Sequence, residues 1–278
     1  MHGGPARPGP ARIDIGDTLQ EGWLAFCRAP WSFTGFALLL TALQLLLVPL
    51  QDRLPTAEQL PGQPLDWLLG LAGVALSLLL NLWGSVGLVR GALRALQGER
   101  PRLGVLLRWD GRAMGRLLLA GLALAGTLLV ALLLALAAGV LGAGLLWLLE
   151  RPLAAFGTAA ALPGLLLGLL ALVLLAAVAA LVIYLAVNQQ VLVPIVLEEP
   201  LGPLASLQRG RELVDPQWIL MLILGLIETA LLLLGVLTMV VGVLVAWPVV
   251  TCITTAAYRQ LLVVSARKPS TPTIASSS

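Results

Sequence analysis

Residues 117–149 read LLLAGLALAGTLLVALLLALAAGVLGAGLLWLL and contain no charged side chain. After the pair Glu150 and Arg151, a second uncharged stretch covers residues 152–197. A soluble helix needs a polar face toward water, whereas about 20 apolar residues are enough to cross a hydrocarbon core of about 30 Å. These two stretches therefore predict helices that span a membrane.

The composition of the whole chain supports the same class. Hydrophobic residues make up 59% of the 278 residues and charged residues 11%, against about 25% charged in globular proteins. This excludes a soluble domain. The net charge of +3 resides in short connections between apolar segments, which excludes a nucleic-acid partner. Cys27 and Cys252 have no metal-site or disulfide spacing.

Apolar segments predict an all-α, polytopic bundle of six spans. They cover residues 31–50, 67–89, a long stretch after 116, residues 164–187, and two spans within 218–264. Because the third span is long, we expect it to break near Gly139, Gly142 and Gly144. We expect the last region to divide between Met239 and Gly242, with Pro248 in the first turn of the sixth helix, and residues 191–197 to be interfacial.

The distribution of basic residues predicts the orientation. Of the 17 Lys and Arg residues, all except Arg53 and Arg151 fall on one side of this threading. The positive-inside rule then places both termini in the cytoplasm. Tryptophans occur at both predicted interfaces, as in an aromatic belt. Those at the inner interface are Trp31, Trp109 and Trp218, and those at the outer interface are Trp67, Trp147 and Trp247.

A short amphipathic segment precedes each odd-numbered span, near residues 14–30, 102–114 and 201–215. The first has Asp14 as a plausible N-cap and Ile15, Leu19 and Phe26 on one face. The third has Leu204, Leu207 and Val214 on one face, and the middle copy is more degenerate. We therefore predict three units, each made of an interfacial helix and a membrane hairpin, although plain connecting structure is the alternative.

Arginines in these segments are candidates for lipid headgroup contacts, because a helix in the headgroup plane gains about 1 kcal/mol per arginine from anionic lipid. The candidate residues are Arg102, Arg108, Arg112, Arg209 and Arg211.

Four segments carry a family resemblance. They read DTLQEGWLAFCRAPWSF (17–33), RGALRALQGERPRLGVLL (90–107), PIVLEEPLGPLASLQRGRELV (194–214) and GVLVAWPVVTCITTAAYRQLL (242–262). Residues 13–264 resemble bacterial six-span proteins of the YciC type and the membrane domain attached to some glycerophosphoryl diester phosphodiesterases. The resemblance implies an integral module of the bacterial plasma (inner) membrane or an internal membrane, of mostly unknown function. No phosphodiesterase sequence lies within these residues, so that activity is not carried over.

The chain lacks the residues of familiar catalytic sites. His2 is the only histidine, so no Ser-His, Cys-His or histidine-metal site can be built, and phosphate loops are absent. We expect no catalytic residues, metal or cofactor. The expected organisation is a single membrane domain over residues 13–264, flanked by disordered segments 1–12 and 265–278, with no cleaved signal peptide.

Glu228 is the one carboxylate inside a predicted span, about 15 Å beyond Trp218. An ionised acid there costs at least about 2.5 kcal/mol, so Glu228 must be neutral, paired or in contact with water. Candidate companions are Gln44, Asn81, Ser85, Asn188, Gln189 and Gln190. Glu228 is either a hydrogen-bonding link between helices or a proton- or substrate-coupling group.

Two functions follow from these features. The first is a non-enzymatic membrane protein whose interfacial helices contact anionic lipid, a protein partner or a second copy of the chain, in a membrane organising or homeostatic role. The alternative is a small proton- or solute-linked transporter or permease that uses Glu228. A transporter should gather Glu228 and its companions around one cavity open to water, while an organising protein should leave them scattered or paired. A lipid-modifying enzyme would need an acid/base site that these residues do not supply.

Overall fold

The computed structural model describes residues 12–55, 63–155 and 161–266. Within these ranges the regular secondary structure is entirely helical, with no β-strand. A 3₁₀ turn, Asp215–Gln217, joins the eighth helix to the ninth. The helices are α1 (Ile15–Arg28), α2 (Pro30–Gln51), α3 (Pro64–Leu96), α4 (Leu103–Leu106), α5 (Gly111–Ala155), α6 (Ala161–Asn188), α7 (Leu192–Glu198), α8 (Pro203–Val214), α9 (Trp218–Leu237) and α10 (Met239–Ala266).

Six of these helices are long and apolar enough to cross a membrane, namely α2, α3, α5, α6, α9 and α10. The predicted class, an all-α bundle of six spans, is therefore confirmed. The predicted disordered ends fall almost entirely on residues 1–11 and 267–278, which lie outside the described residues.

The predicted break in the third span is wrong, because α5 is one uninterrupted helix from Gly111 to Ala155. Two of the three glycines, Gly139 and Gly142, face α6 instead, whereas Gly144 has no neighbour within 4 Å. A side chain at Gly142 would collide with Leu170 of α6, and one at Gly139 would lie 3.5 Å from Leu174. A glycine inside a helix costs only about 1 kcal/mol, and close packing of α5 on α6 offsets that cost.

The last apolar region divides as predicted into two helices, but the break lies one residue earlier, at Thr238. The Thr238 hydroxyl lies 3.2 Å and 3.0 Å from the carbonyl oxygens of Leu234 and Gly235, the last turn of α9. Pro248 consequently lies inside α10 and not in its first turn.

Two of the three predicted amphipathic segments form helices, α1 and α8. The Asp14 side chain accepts a hydrogen bond of 3.1 Å from the Asp17 amide, which confirms Asp14 as the N-cap of α1. The middle segment, 102–114, does not form such a helix. Only the single turn α4 is helical before α5, which begins where the Asp110 side chain accepts from the Ala113 amide at 3.1 Å.

The packing of α8 and α7 bears on two further predictions without testing them, because it shows which of their side chains are buried against other helices. Leu204 of α8 is 73% exposed, and the buried residues of this helix include Ser206 and Gly210. A Cβ atom at Gly210 would lie 2.9 Å from the Asn188 carbonyl, at the end of α6. Residues 191–197 were expected at the interface. They mostly form α7, where Pro194 and Ile195 are buried because α3, α5 and α8 surround this helix.

The core lies where α1, α2, α3, α9 and α10 meet, and its largest fully buried side chains include Phe33, Phe36, Met221 and Tyr258. α1 packs along α10, where Gly22 lets the two backbones approach closely. The α5–α6 hairpin joins this core through the first turns of α5, where Ala113, Leu117 and Ala120 pack with Val86 of α3.

Candidate functional site

Most of the arginines that are described gather at one end of the bundle. The C-terminal end of α3 lies there, where Arg28 donates to the Ala95 carbonyl and Arg259 donates to the Leu96 carbonyl at 2.9 Å. These two contacts bring α1 and the end of α10 onto the last turn of α3, where the Ala95 carbonyl also accepts from the Gly98 amide at 3.0 Å.

Two ion pairs extend this grouping across the same end. Arg90, near the end of α3, pairs with Asp110, just before α5, at 2.9 Å. Arg209 of α8 pairs with Glu199, after α7, at 3.3 Å. We call this end of the molecule the arginine-rich end. Arg53 lies elsewhere, between α2 and α3, and pairs with Asp66 at 3.7 Å.

Three of the five arginines predicted to contact lipid headgroups flank α4 in the sequence, and all three are exposed. Arg102, Arg108 and Arg112 form no salt bridge among the described residues. Between them, Trp109 is 59% exposed and Leu103 is 41% exposed. We call these five residues the α4 patch. It combines free positive charge with apolar side chains that suit the boundary between headgroups and acyl chains.

The other two predicted arginines have protein partners. Arg209 bonds Glu199 and also lies 3.7 Å from Glu212, so much of its charge is already balanced. The Arg211 guanidinium lies over the Tyr184 ring, 5.7 Å from its centroid. Arg209 is therefore less available to lipid than the α4 patch, whereas Arg211 is exposed and has only this aromatic contact.

Glu228 lies in α9 and is 7% exposed. The Thr254 hydroxyl of α10 donates to its Oε1 atom at 2.8 Å. Glu228 does not line any of the four cavities that we describe between the resolved helices. Its position therefore links two adjacent helices directly.

Gln44 and Asn81 lie together, apart from the contacts made by Glu228. Gln44 of α2 donates to the Ser77 hydroxyl at 2.7 Å, and Asn81 donates to the Ser77 carbonyl at 2.8 Å. Both line a small cavity of about 110 Å³ beside Trp247 of α10. This group joins α2 to α3.

Asn188, Gln189 and Gln190 lie at the bend between α6 and α7. Asn188 donates to Asp215 at 3.1 Å, and Gln189 donates to a carbonyl of α8 at 3.5 Å. Gln190 packs against Gly225 of α9, three residues before Glu228. The predicted polar residues thus form separate groups and do not line one cavity.

Sequence reasoning missed Tyr184 and Asp215. The Tyr184 hydroxyl donates to Oδ1 of Asp215 at 3.0 Å, and Asn188 donates to the same atom. The available signal was the pair Asp215-Pro216, because an acid followed by proline marks the end of one helix and the start of the next. Nothing in the sequence showed that Tyr184 would reach it.

Comparison of the chain with models of protein families, with curated proteins and with solved structures finds no match. The resemblance to YciC-type proteins stays a prediction. Within the described ranges, no three His, Cys, Asp or Glu side chains are grouped so that they could hold a metal ion.

Proposed function

We propose that this chain is a non-enzymatic integral membrane protein whose arginine-rich end contacts anionic lipid headgroups, in a membrane organising or homeostatic role. We further propose that this end faces the cytoplasm of a bacterial cell, as the arginine distribution favours. Where lipid is not the partner, the same surface would bind an acidic protein or a second copy of the chain.

The α4 patch is the observation that carries this proposal. Its three arginines are exposed and without salt bridges among the described residues, while Trp109 and Leu103 present apolar surface between them. Each arginine near an anionic surface contributes about 1 kcal/mol of attraction. A tryptophan next to such charges anchors a protein at the interface.

A transporter that couples flux to Glu228 receives less support. Glu228 has a direct partner in Thr254, and Gln44 and Asn81 bond with Ser77 instead. Paired and separated polar groups are typical of contacts between membrane helices, each worth about 0.6 kcal/mol. This arrangement favours the organising role over the alternative.

Lipid selectivity at the α4 patch tests the proposal. The full-length protein is reconstituted in vesicles that contain either brominated phosphatidylglycerol or brominated phosphatidylcholine, and quenching of Trp109 is obtained by difference from a Trp109→Phe variant. We expect brominated phosphatidylglycerol to quench at about fivefold lower mole fraction, because about 1 kcal/mol corresponds to that factor.

The variant that replaces Arg102, Arg108 and Arg112 by Gln should lose this preference. Arg53→Gln, which removes an arginine from outside the arginine-rich end, is the control and should keep it. Equal quenching by both lipids in the wild-type protein, or a preference that survives the triple substitution, would contradict the proposed lipid contact.

A further inference from the structure

We propose that a groove between α6 and α9 binds a phospholipid whose headgroup carries a primary ammonium, as in phosphatidylethanolamine. The groove has a volume of about 1010 Å³. Its polar wall contains Arg12, Tyr184, Asp215 and Trp218, and Ala180 and Ile219 line its apolar part. We call it the α6–α9 groove, and it is separate from the α4 patch.

A fixed carboxylate provides the ammonium site. Oδ1 of Asp215 accepts hydrogen bonds from the Tyr184 hydroxyl at 3.0 Å and the Asn188 amide at 3.1 Å. Both donors are neutral, and Asp215 has no salt bridge among the described residues. The side chain is held in place by neutral donors and makes no direct ion pair, which suits a ligand that brings a cation with N–H donors.

The groups beside Asp215 also favour a cation that donates hydrogen bonds. The Asp215 carboxylate and the Tyr184 hydroxyl oxygen both line the groove, and both can accept hydrogen bonds. A primary ammonium has three N–H donors, and a quaternary choline nitrogen has none.

Donors on the same wall match the phosphate of such a lipid. Arg12 also lines the groove, and its guanidinium can pair with the phosphate of the lipid. The indole Nε1 of Trp218 is a buried donor with no partner among the described residues. Positive and negative side chains in one groove complement a zwitterionic headgroup, whereas a purely anionic headgroup would lie against the Asp215 carboxylate.

The apolar part of the groove accommodates acyl chains. α9 begins at Trp218, directly after the polar turn Asp215–Gln217, so the groove crosses the boundary between polar and apolar sequence. Ile219 is 68% exposed, and Ala180 of α6 lies opposite in the same groove. A phospholipid placed here has its headgroup at the turn and its chains along α9.

Retention of lipid by the purified full-length protein tests this site. The protein in detergent is mixed with equal amounts of dioleoyl phosphatidylethanolamine, its mono- and dimethylated forms, phosphatidylcholine and phosphatidylglycerol, and bound lipid is counted by native mass spectrometry. We expect phosphatidylethanolamine to be retained about tenfold over phosphatidylcholine, as one charge-assisted hydrogen bond allows. Retention should fall at each methylation.

Asp215→Asn keeps the shape of the side chain and should abolish the preference, while Asp66→Asn, whose carboxylate pairs with Arg53, is the matched control and should preserve it. Should Asp215→Asn fail to fold, the methylation series in the wild-type protein decides. Equal retention of phosphatidylethanolamine and its methylated forms, or a preference for phosphatidylethanolamine over phosphatidylcholine that survives Asp215→Asn, would overturn the proposal. The α4 patch would be unaffected by each of these results.

Discussion

Thr254 of α10 donates a hydrogen bond of 2.8 Å to Glu228 of α9, and this bond joins the fifth and sixth spanning helices at a carboxyl group that is 7% exposed. The Thr254 hydroxyl also lies 3.0 Å from the Val250 carbonyl. A hydroxyl has one proton, so Thr254 donates to an ionised Glu228 or to Val250, but not to both. When Glu228 is protonated the first bond reverses, because Glu228 then donates to Thr254 and Thr254 donates to Val250. All three groups are then satisfied without a charge in the bilayer.

Glu228→Gln should therefore leave the protein folded and functional, because the amide keeps a hydrogen-bonding side chain of nearly the same shape. Glu228→Leu should lower the free energy of unfolding by about 1 kcal/mol. A double-mutant cycle with Thr254→Val measures the coupling, which we expect to be about 0.6 kcal/mol. Unfolding in mixed micelles provides the free energies.

Reconstituted vesicles separate this structural role from proton coupling. A proton-linked flux that Glu228→Gln abolishes in a well-folded protein would contradict the structural role, because that substitution removes only the ability to ionise. Lack of such flux, or a flux that Gln preserves, agrees with the link between α9 and α10.

Gly22→Ala should loosen the contact between α1 and α10. A Cβ atom at position 22 would lie 2.6 Å from the Cα atom of Ile253, and backbone cannot move away as a flexible side chain can. We expect a loss of about 1–3 kcal/mol in the free energy of unfolding, measured by thermal or denaturant unfolding.

Gly35→Ala is the control for that substitution, because nothing lies within 4 Å of its added methyl group and alanine favours the helix by up to about 1 kcal/mol. Shortening Ile253 to Ala should rescue Gly22→Ala only in part, since the clash involves backbone. Equal stability of the two alanine variants would show that α1 does not pack on α10 in this way.

Asp110 has two roles at the start of α5, and its removal should be costly. It pairs with Arg90 at 2.9 Å and caps the Ala113 amide at 3.1 Å. Asp110→Ala should cost about 1–2 kcal/mol, mostly through the lost cap, and Asp110→Asn should cost less because the amide oxygen still caps the helix. Asp66→Ala, in an exposed pair with Arg53, should cost under about 1 kcal/mol. Similar losses for Asp110→Ala and Asp110→Asn would assign the effect to charge instead.

The six spans and the cap of α1 were predictable because they depend on local sequence. Long apolar stretches, Asp14 before an amphipathic segment and the change of pattern near Thr238 each act within a few residues. The continuity of α5 was not predictable, since the role of Gly142 depends on Leu170 of α6. A glycine that breaks a helix and one that admits a neighbouring helix look alike in sequence.

The grouping of the polar residues also depended on tertiary structure. Nothing local indicates that Gln44 meets Ser77 while Asn188 meets Asp215, 27 positions away. Tertiary structure also decides which arginines form ion pairs. Arg209 has an acidic partner in Glu199, whereas the arginines of the α4 patch have none among the described residues. Hydropathy and charge patterns predict how the chain crosses the membrane. The pairing of side chains depends on how the helices pack, which these patterns do not contain.

Labelling of Cys27 in intact cells tests most directly whether the arginine-rich end faces the cytoplasm. Cys27 is exposed on α1, whereas Cys252 is buried, so a membrane-impermeant maleimide reports on one native site. We predict that Cys27 stays unlabelled in intact cells and is labelled after permeabilisation. Arg53→Cys in a Cys27→Ser background should be labelled in intact cells, because Arg53 lies on the opposite side of the predicted threading. Labelling of Cys27 before permeabilisation, with Arg53→Cys protected, would contradict the orientation and with it the proposed contact with cytoplasmic anionic lipid.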